Sequence, residues 1–194
     1  MNLITSPWIP VRRRDSITTE YICPWQLTEG HEHNPIIGID FPRPDLSSSV
    51  VTFLIGLFQL AMTPDNNRRW NDFYESPPEP ESLKSMLMQH ADHFQADGNG
   101  ARCFQDFELR DEEARAIAAI LIDEPGGQTL KRNSDLFIKR QQFPALGLSA
   151  AIAALITMQS SAPAGGKGHR TSMRGGGPLK STARSAAIPF FAGR

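Results

Sequence analysis

The sequence predicts a mixed α+β domain of irregular architecture, with a small N-terminal strand system, several helices and a basic glycine-rich loop near the C-terminus. Three observations carry that expectation. Short β-rich runs are confined to the N-terminal stretch, apolar residues recur at helical spacing through the middle, and a glycine-rich basic tract near the end admits no core element. A chain of 194 residues can bury one core of ordinary size, so a single domain is the default.

The elements follow in order. Trp8-Ile9-Pro10-Val11 and Tyr21-Ile22 read as short strands about the turn-like Arg14-Asp15-Ser16, which predicts a hairpin. From Asp45, Ser and Asp caps precede Val51, Leu54, Ile55, Phe58 and Met62 at helical spacing, which predicts a buried helix ended by Pro64. Ser76-Pro77-Pro78 opens a second helix carrying Leu83, Leu87 and Phe94 on one face, stopped by Gly98-Asn99-Gly100. Asp111-Glu112-Glu113 places negative charge at the start of a short helix through Ala114 to Leu121, broken by Pro125-Gly126-Gly127. A strand at Leu136 to Lys139 is expected next. The Ala- and Leu-rich segment from Pro144 to Gln159 predicts a well-buried helix whose small residues permit close packing.

Net charge is −1 overall but unevenly placed. Residues 1–130 carry 10 Lys and Arg against 20 Asp and Glu, a net of −10, while residues 131–194 carry 10 against Asp135 alone, a net of +9. A basic tract with almost no acid attracts polyanions, of which nucleic acids and anionic lipids are the usual ones; a solvated tail without a partner is the alternative. Cys23 and Cys103 lie far apart with no CxxC pattern, so neither a disulfide framework nor a ribbon-type zinc site is suggested, and a reducing cytoplasm fits. The opening residues lack the pattern of a secretory signal, and the apolar run from Val50 to Met62 reads as too short and too polar to span a bilayer, so no membrane partner is expected.

Candidate chemistry concentrates between Ser160 and Lys180. There Gly165, Gly166, Lys167, Gly168, His169, Arg170 and Arg174 combine close backbone approach with positive charge, which suits a phosphate or groove contact; a flexible glycine-rich linker is the competing reading. The spacings of a Walker A loop and of a dinucleotide fingerprint are absent, leaving nucleotide chemistry as a weak alternative. His31 with His33, and His90 with His93, match no metal-ligand spacing, so no metal or cofactor is expected. No GxSxG elbow or triad signature is present, consecutive acids 111–113 suit a solvated first turn, and no catalytic residue is assigned. Trp8, Trp25 and Trp70 read as packing anchors rather than stacking platforms.

Three segments, NLITSPWIPVRR, LFIKRQQFPALGLSAAIAALITMQ and GGKGHRTSMRGGGPL, together resemble the CasA family, the large subunit of type I-E Cascade, from the first residue to about Lys180. The resemblance implies a non-enzymatic, cytoplasmic subunit that binds target double-stranded DNA at the protospacer-adjacent motif and helps start the R-loop. Implied partners are guide RNA, other Cascade subunits and a recruited helicase-nuclease. A purely structural subunit docking guide RNA or protein is the rival. By position, Gly165, Gly166, Lys167 and Gly168 resemble the family's glycine loop against the motif's minor groove, with Arg170 and Arg174 beside it. Phe137, Ile138 and Lys139, followed by Arg140, resemble the loop at the guide end of the complex. Family members are longer and end in a helical bundle, which has no counterpart in residues 1–194. After Leu179 the family continues as an apolar strand where this chain reads KSTARSAAIPFFAGR, so a truncated or frameshifted end is expected.

Overall fold

A computed structural model describes residues 1–105, 116–138, 140 and 143–162. The chain divides into two compact units, Met1–Glu112 and Glu113–Arg194.

In the first unit, β1 (Ile9–Arg13) pairs antiparallel with β2 (Glu20–Ile22), in register Ile9↔Ile22 and Val11↔Glu20. The expected hairpin is therefore present. A third strand that the sequence did not suggest, β3 (Ile36–Ile39), lies on the other side of β1, giving the order β2-β1-β3 with a register shift between Arg12 and Arg13. Only four residues long and interrupted by Gly38, β3 is too short to show a period in sequence. Arg13 fastens this corner. Its Nε meets Glu20 Oε1 at 2.5 Å, and its Nη1 donates to the carbonyls of Glu29 at 2.6 Å and Asn34 at 3.1 Å. Gly30 there has φ +69°, and an added Cβ would meet Arg13 Nη1 at 3.3 Å, so glycine is favoured on two counts.

The helix α1 (Pro44–Met62) has Arg43 as its N-cap, so the Asp and Ser residues expected as caps lie inside it; Pro44 is in the first turn, and the Arg43 guanidinium holds Asp45 at 2.8 Å, which lowers the carboxyl pKa. Its buried stripe is Leu46, Val50, Leu54 and Leu57, and α1 packs against β3 and α3. Val51 and Ile55, expected inside, are exposed at 45% and 54%. The helix is apolar on two sides, so periodicity alone could not say which stripe the sheet would cover. At 19 residues α1 is long and apolar enough by length and composition to cross a membrane, a test that the core helix of a folded domain also passes, because the helix begins six residues before the apolar run at Val50.

The next helix, α2 (Asn67–Glu75), is capped by the Asn66 side chain accepting from Arg69 N at 3.0 Å, and buries none of its residues. Trp70 is 52% exposed there, against its expected role as a packing anchor. The following helix, α3 (Pro80–Met88), buries Leu83 and Leu87 as expected but ends earlier than the sequence suggested. A 3-10 turn, Ala91–Phe94, then brings Phe94 into the aromatic cluster of Trp8, Phe53 and Phe104, with centroids about Phe53 at 5.9 to 6.1 Å. Cys103 is half-buried and its thiol pKa is pushed up to about 12 by burial, while Cys23 is buried and also raised; neither is a thiolate at neutral pH.

In the second unit, the expected helix through Ala114 to Leu121 appears only as a 3-10 turn, Ile117–Ile120, among the described residues. A short helix, α4 (Gly127–Lys131), begins just where Pro125-Gly126 was read as a break, since proline and glycine suit the residues preceding a first turn. The last helix, α5 (Leu148–Ser161), buries Ile152, Ala153, Ala154 and Ile156 and lies against that 3-10 turn. Its buried Thr157 hydroxyl donates to Ala153 O at 2.8 Å, so burial leaves it satisfied. The helix starts four residues later than Pro144, with Gly147 extended at its N-cap.

The two stripes of α1 give a direct test. Leu54→Ala should cost about 2–5 kcal/mol of unfolding free energy through lost burial and a cavity, whereas Ile55→Ala should stay within about 0.5 kcal/mol. Urea denaturation of both variants measures the difference, and equal losses would contradict the stripe assignment.

Candidate functional site

Of the residues singled out by sequence, Gly165, Gly166, Lys167, Gly168, Arg170, Arg174 and Lys139 lie outside the described residues. Phe137, Ile138 and Arg140 are brought together in one closed turn after α4, in place of the strand expected at Leu136 to Lys139.

The turn is built from the end of α4 upward. Arg132 N donates to Gln128 O and Asn133 N to Leu130 O, closing the helix, and Asn133 then takes φ +48°, the left-handed conformation that asparagine tolerates at helix ends. Ser134 N returns to Thr129 O at 3.1 Å. Ile138 N donates to Asp135 O at 3.2 Å, a reversal that extended pairing could not accommodate, and so no strand forms.

Arg140 locks the reversal. Its Nε meets Asp135 Oδ2 at 2.5 Å and its Nη2 meets Asp135 Oδ1 at 2.7 Å, a fork on a carboxylate. The same Nη2 reaches Asn133 Oδ1 at 3.0 Å and Leu130 O at 3.5 Å. The Asp135 side chain is 6% exposed and that of Arg140 47%. Hydrogen bonding to Arg140 lowers the Asp135 pKa from the ordinary 3.8, and the same bond raises that of Arg140. The tip faces solvent: Leu136 is 82% and Phe137 99% exposed.

An aromatic ring held in water on a closed turn offers a face for stacking and an edge for apolar contact, neither of which it uses among the described residues. Asn133 was not singled out by sequence, and Asp135 was noted only as a lone acid and not as a partner of Arg140. The signal that could have found Asp135 is its isolation, as the only acid among residues 131–194, five positions from Arg140.

Elsewhere the surface is less organised. On α2, Trp70 and Tyr74 are 52% and 89% exposed at i, i+4 spacing, with Arg69 tied to Asp65 at 3.0 Å. Trp25 carries Lys84 over its ring at 4.6 Å, a packing role in keeping with its sequence reading. Among the described residues no three His, Cys, Asp or Glu side chains gather into a metal-binding group.

Comparison with known proteins adds the following. The sequence profile of CRISPR-associated protein Cse1 matches residues 2–185. No curated protein sequence matches the chain. The fold is similar to that of Thermobifida fusca Cse1, with a TM-score of 0.70 at 18% identity, covering 92% of this chain and 35% of that one. It is also similar to Thermus thermophilus CasA (Cse1), with a TM-score of 0.64 at 20% identity, covering 85% of this chain and 31% of that one. A chain of a CRISPR RNA-guided surveillance complex matches with a TM-score of 0.64 at 18% identity, over 92% of this chain and 39% of its own length. The chain thus spans about a third of the length of the solved chains it resembles.

The Asp135 pKa makes the turn acid-sensitive in a defined direction. A depressed folded value contributes stability above the unfolded value, and that contribution is lost as pH falls through the folded one. Carbon-detected NMR titration should place the Asp135 midpoint below 3.8, and Arg140→Gln should return it to the ordinary range. An unshifted midpoint in the unsubstituted chain would contradict the fork.

Proposed function

The chain belongs to the CRISPR-associated Cse1 family, and from that premise we propose that it serves an RNA-guided defence complex as a nucleic-acid-binding subunit without catalytic chemistry of its own. The observation that carries this reading is the profile match over residues 2–185, joined to structural likeness with a chain of an RNA-guided surveillance complex. In it, base pairing with the guide reads the target, while this subunit helps recognise the short duplex motif beside it and start the R-loop.

Two segments divide the work. Gly165, Gly166, Lys167 and Gly168 lie against the minor groove of the motif duplex, where glycine lets backbone groups approach and Lys167 neutralises phosphate, with Arg170 and Arg174 adding charge. The degenerate minor groove makes the resulting sequence choice relaxed. The tip at Phe137 and Ile138 contacts the guide end of the complex, supported by the complete exposure of the Phe137 ring. The net of +9 over residues 131–194 favours a polyanion at this end of the sequence, and the net of −10 over residues 1–130 disfavours one there.

A second reading, docking of partner proteins, is favoured by α2. Its exposed Trp70 and Tyr74, with Arg68 and Arg69 alongside, have the composition of interface anchors, and no residue of α2 is buried. The two roles are compatible within one assembly.

Outside the complex, binding of duplex DNA by the 194-residue chain should be weak, mostly independent of sequence and strongly reduced by salt. In a reconstituted complex, Lys167→Ala should weaken binding to all duplexes and flatten the salt slope by roughly one unit. Gly166→Ala and Gly168→Ala should instead reduce binding to motif-bearing duplex with thermal unfolding unchanged, because a Cβ obstructs groove approach. Titration of motif-bearing and scrambled duplexes at two salt concentrations measures both effects. Unchanged affinity in both glycine variants would leave the segment a linker.

A further inference from the structure

The only acid among residues 131–194 sits on the loop proposed to contact the guide end of the complex. By Coulomb's law alone its carboxylate should repel a phosphate backbone. It is instead turned inward, 6% exposed, with both oxygens on the Arg140 fork at 2.5 and 2.7 Å. We propose that Asp135 and Arg140 form a positioning pair that preorganises the Leu136–Phe137 tip for stacking on an unpaired RNA base, so that an acidic residue strengthens binding to a polyanion.

This rests on the reading of the loop as a guide-RNA contact. The mechanism is entropic. An open loop must lose backbone and side-chain freedom when its ring stacks, and a loop already closed has lost it. Every bond needed for closure is internal to the turn: Ile138 N to Asp135 O, the fork, and Arg140 Nη2 to Asn133 Oδ1 and Leu130 O. Two of the three guanidinium nitrogens of Arg140 are thereby engaged inside the chain, which suits a brace. The tip itself is not packed among the described residues, since Leu136 and Phe137 are 82% and 99% exposed.

The sign of one substitution separates positioning from direct contact. If Arg140 touches phosphate, Asp135→Asn frees a cation and removes a negative charge, and RNA binding tightens. If the pair positions the tip, Asp135→Asn loosens the turn and weakens binding, by roughly threefold to tenfold for the ordering cost of one or two groups.

The experiment is fluorescence anisotropy of a labelled single-stranded RNA oligonucleotide with the full 194-residue chain, at low and physiological salt, for Phe137→Ala, Asp135→Asn, Arg140→Lys and the swap Asp135→Arg with Arg140→Asp. Thermal unfolding controls for folding, and hydrogen exchange over the turn reports its opening. Positioning predicts weaker binding for the three single variants, partial recovery in the swap, an unchanged salt slope in Asp135→Asn, and faster exchange of the Ile138 amide in Asp135→Asn and Arg140→Lys but not in Phe137→Ala. Weaker binding of Phe137→Ala beside equal or tighter binding of Asp135→Asn overturns the positioning role alone. Faster exchange in Asp135→Asn at unchanged affinity does the same. No RNA binding by the unsubstituted chain, or none lost in Phe137→Ala, overturns the underlying reading of the loop and this inference with it.

Discussion

Asn2 and Trp8 tie the first residues of the chain to the segment after α3, and the first unit is organised around that tie. The Asn2 carbonyl oxygen accepts from Ile4 N at 2.9 Å and Thr5 N at 3.2 Å, shaping the opening turn, while its amide donates to Ala91 O at 2.7 Å. Leu3 N donates to Phe94 O and Ala96 N to Met1 O, both at 2.9 Å, and the N-terminal amine pairs with Asp97. Trp8, 1% exposed, donates Nε1 to Leu3 O at 2.8 Å and meets the edge of Phe53. With β1 fixed at this end, β2 and β3 can pair on its two sides, and α1 can lay its Leu46, Val50, Leu54 and Leu57 stripe over the result. A buried amide and indole, each hydrogen-bonded to the backbone, therefore set the direction of the chain where apolar contact alone would leave it free.

The described part of the second unit solves a different problem, holding a polar turn in place beside a helix-based core. Its α5 supplies the apolar anchor, and its described loop is closed by charge-assisted bonds instead of packing. This division suits a binding element, since an apolar tip cannot be both buried for stability and offered to a partner. The fork on Asp135 lets Phe137 remain in solvent while the backbone beneath it stays defined.

Element existence was legible where short-range chemistry dominates. The helical run from Asp45 appears as α1, and the β1–β2 hairpin follows from two β-rich runs around a turn, whereas α2, capped by Asn66, was not expected. Legibility failed where two local answers are close in energy. Leu136 to Lys139 has strand-like composition, but a strand needs a neighbour, and here the Asp135–Arg140 fork rewards a reversal. The second stripe of α1 is as apolar as the first, so Val51 and Ile55 could not be told from Val50 and Leu54 by pattern. Of the candidate site, the chemistry of Phe137 and Arg140 was visible as residue types, while the partner of Arg140 was not.

By itself the sequence determined the mixed α+β class, the helical run through residues 44–62, the separation of acidic and basic charge, and the family, because each is a property of composition, short-range propensity or extended pattern. Tertiary structure decided which face of α1 is inside, where β3 adds to the sheet, and that Arg140 closes a turn on the one acid of its tract. Those outcomes depend on which surfaces and charges meet, and a contact between residues is a fact about distance in space that periodicity along a chain does not contain.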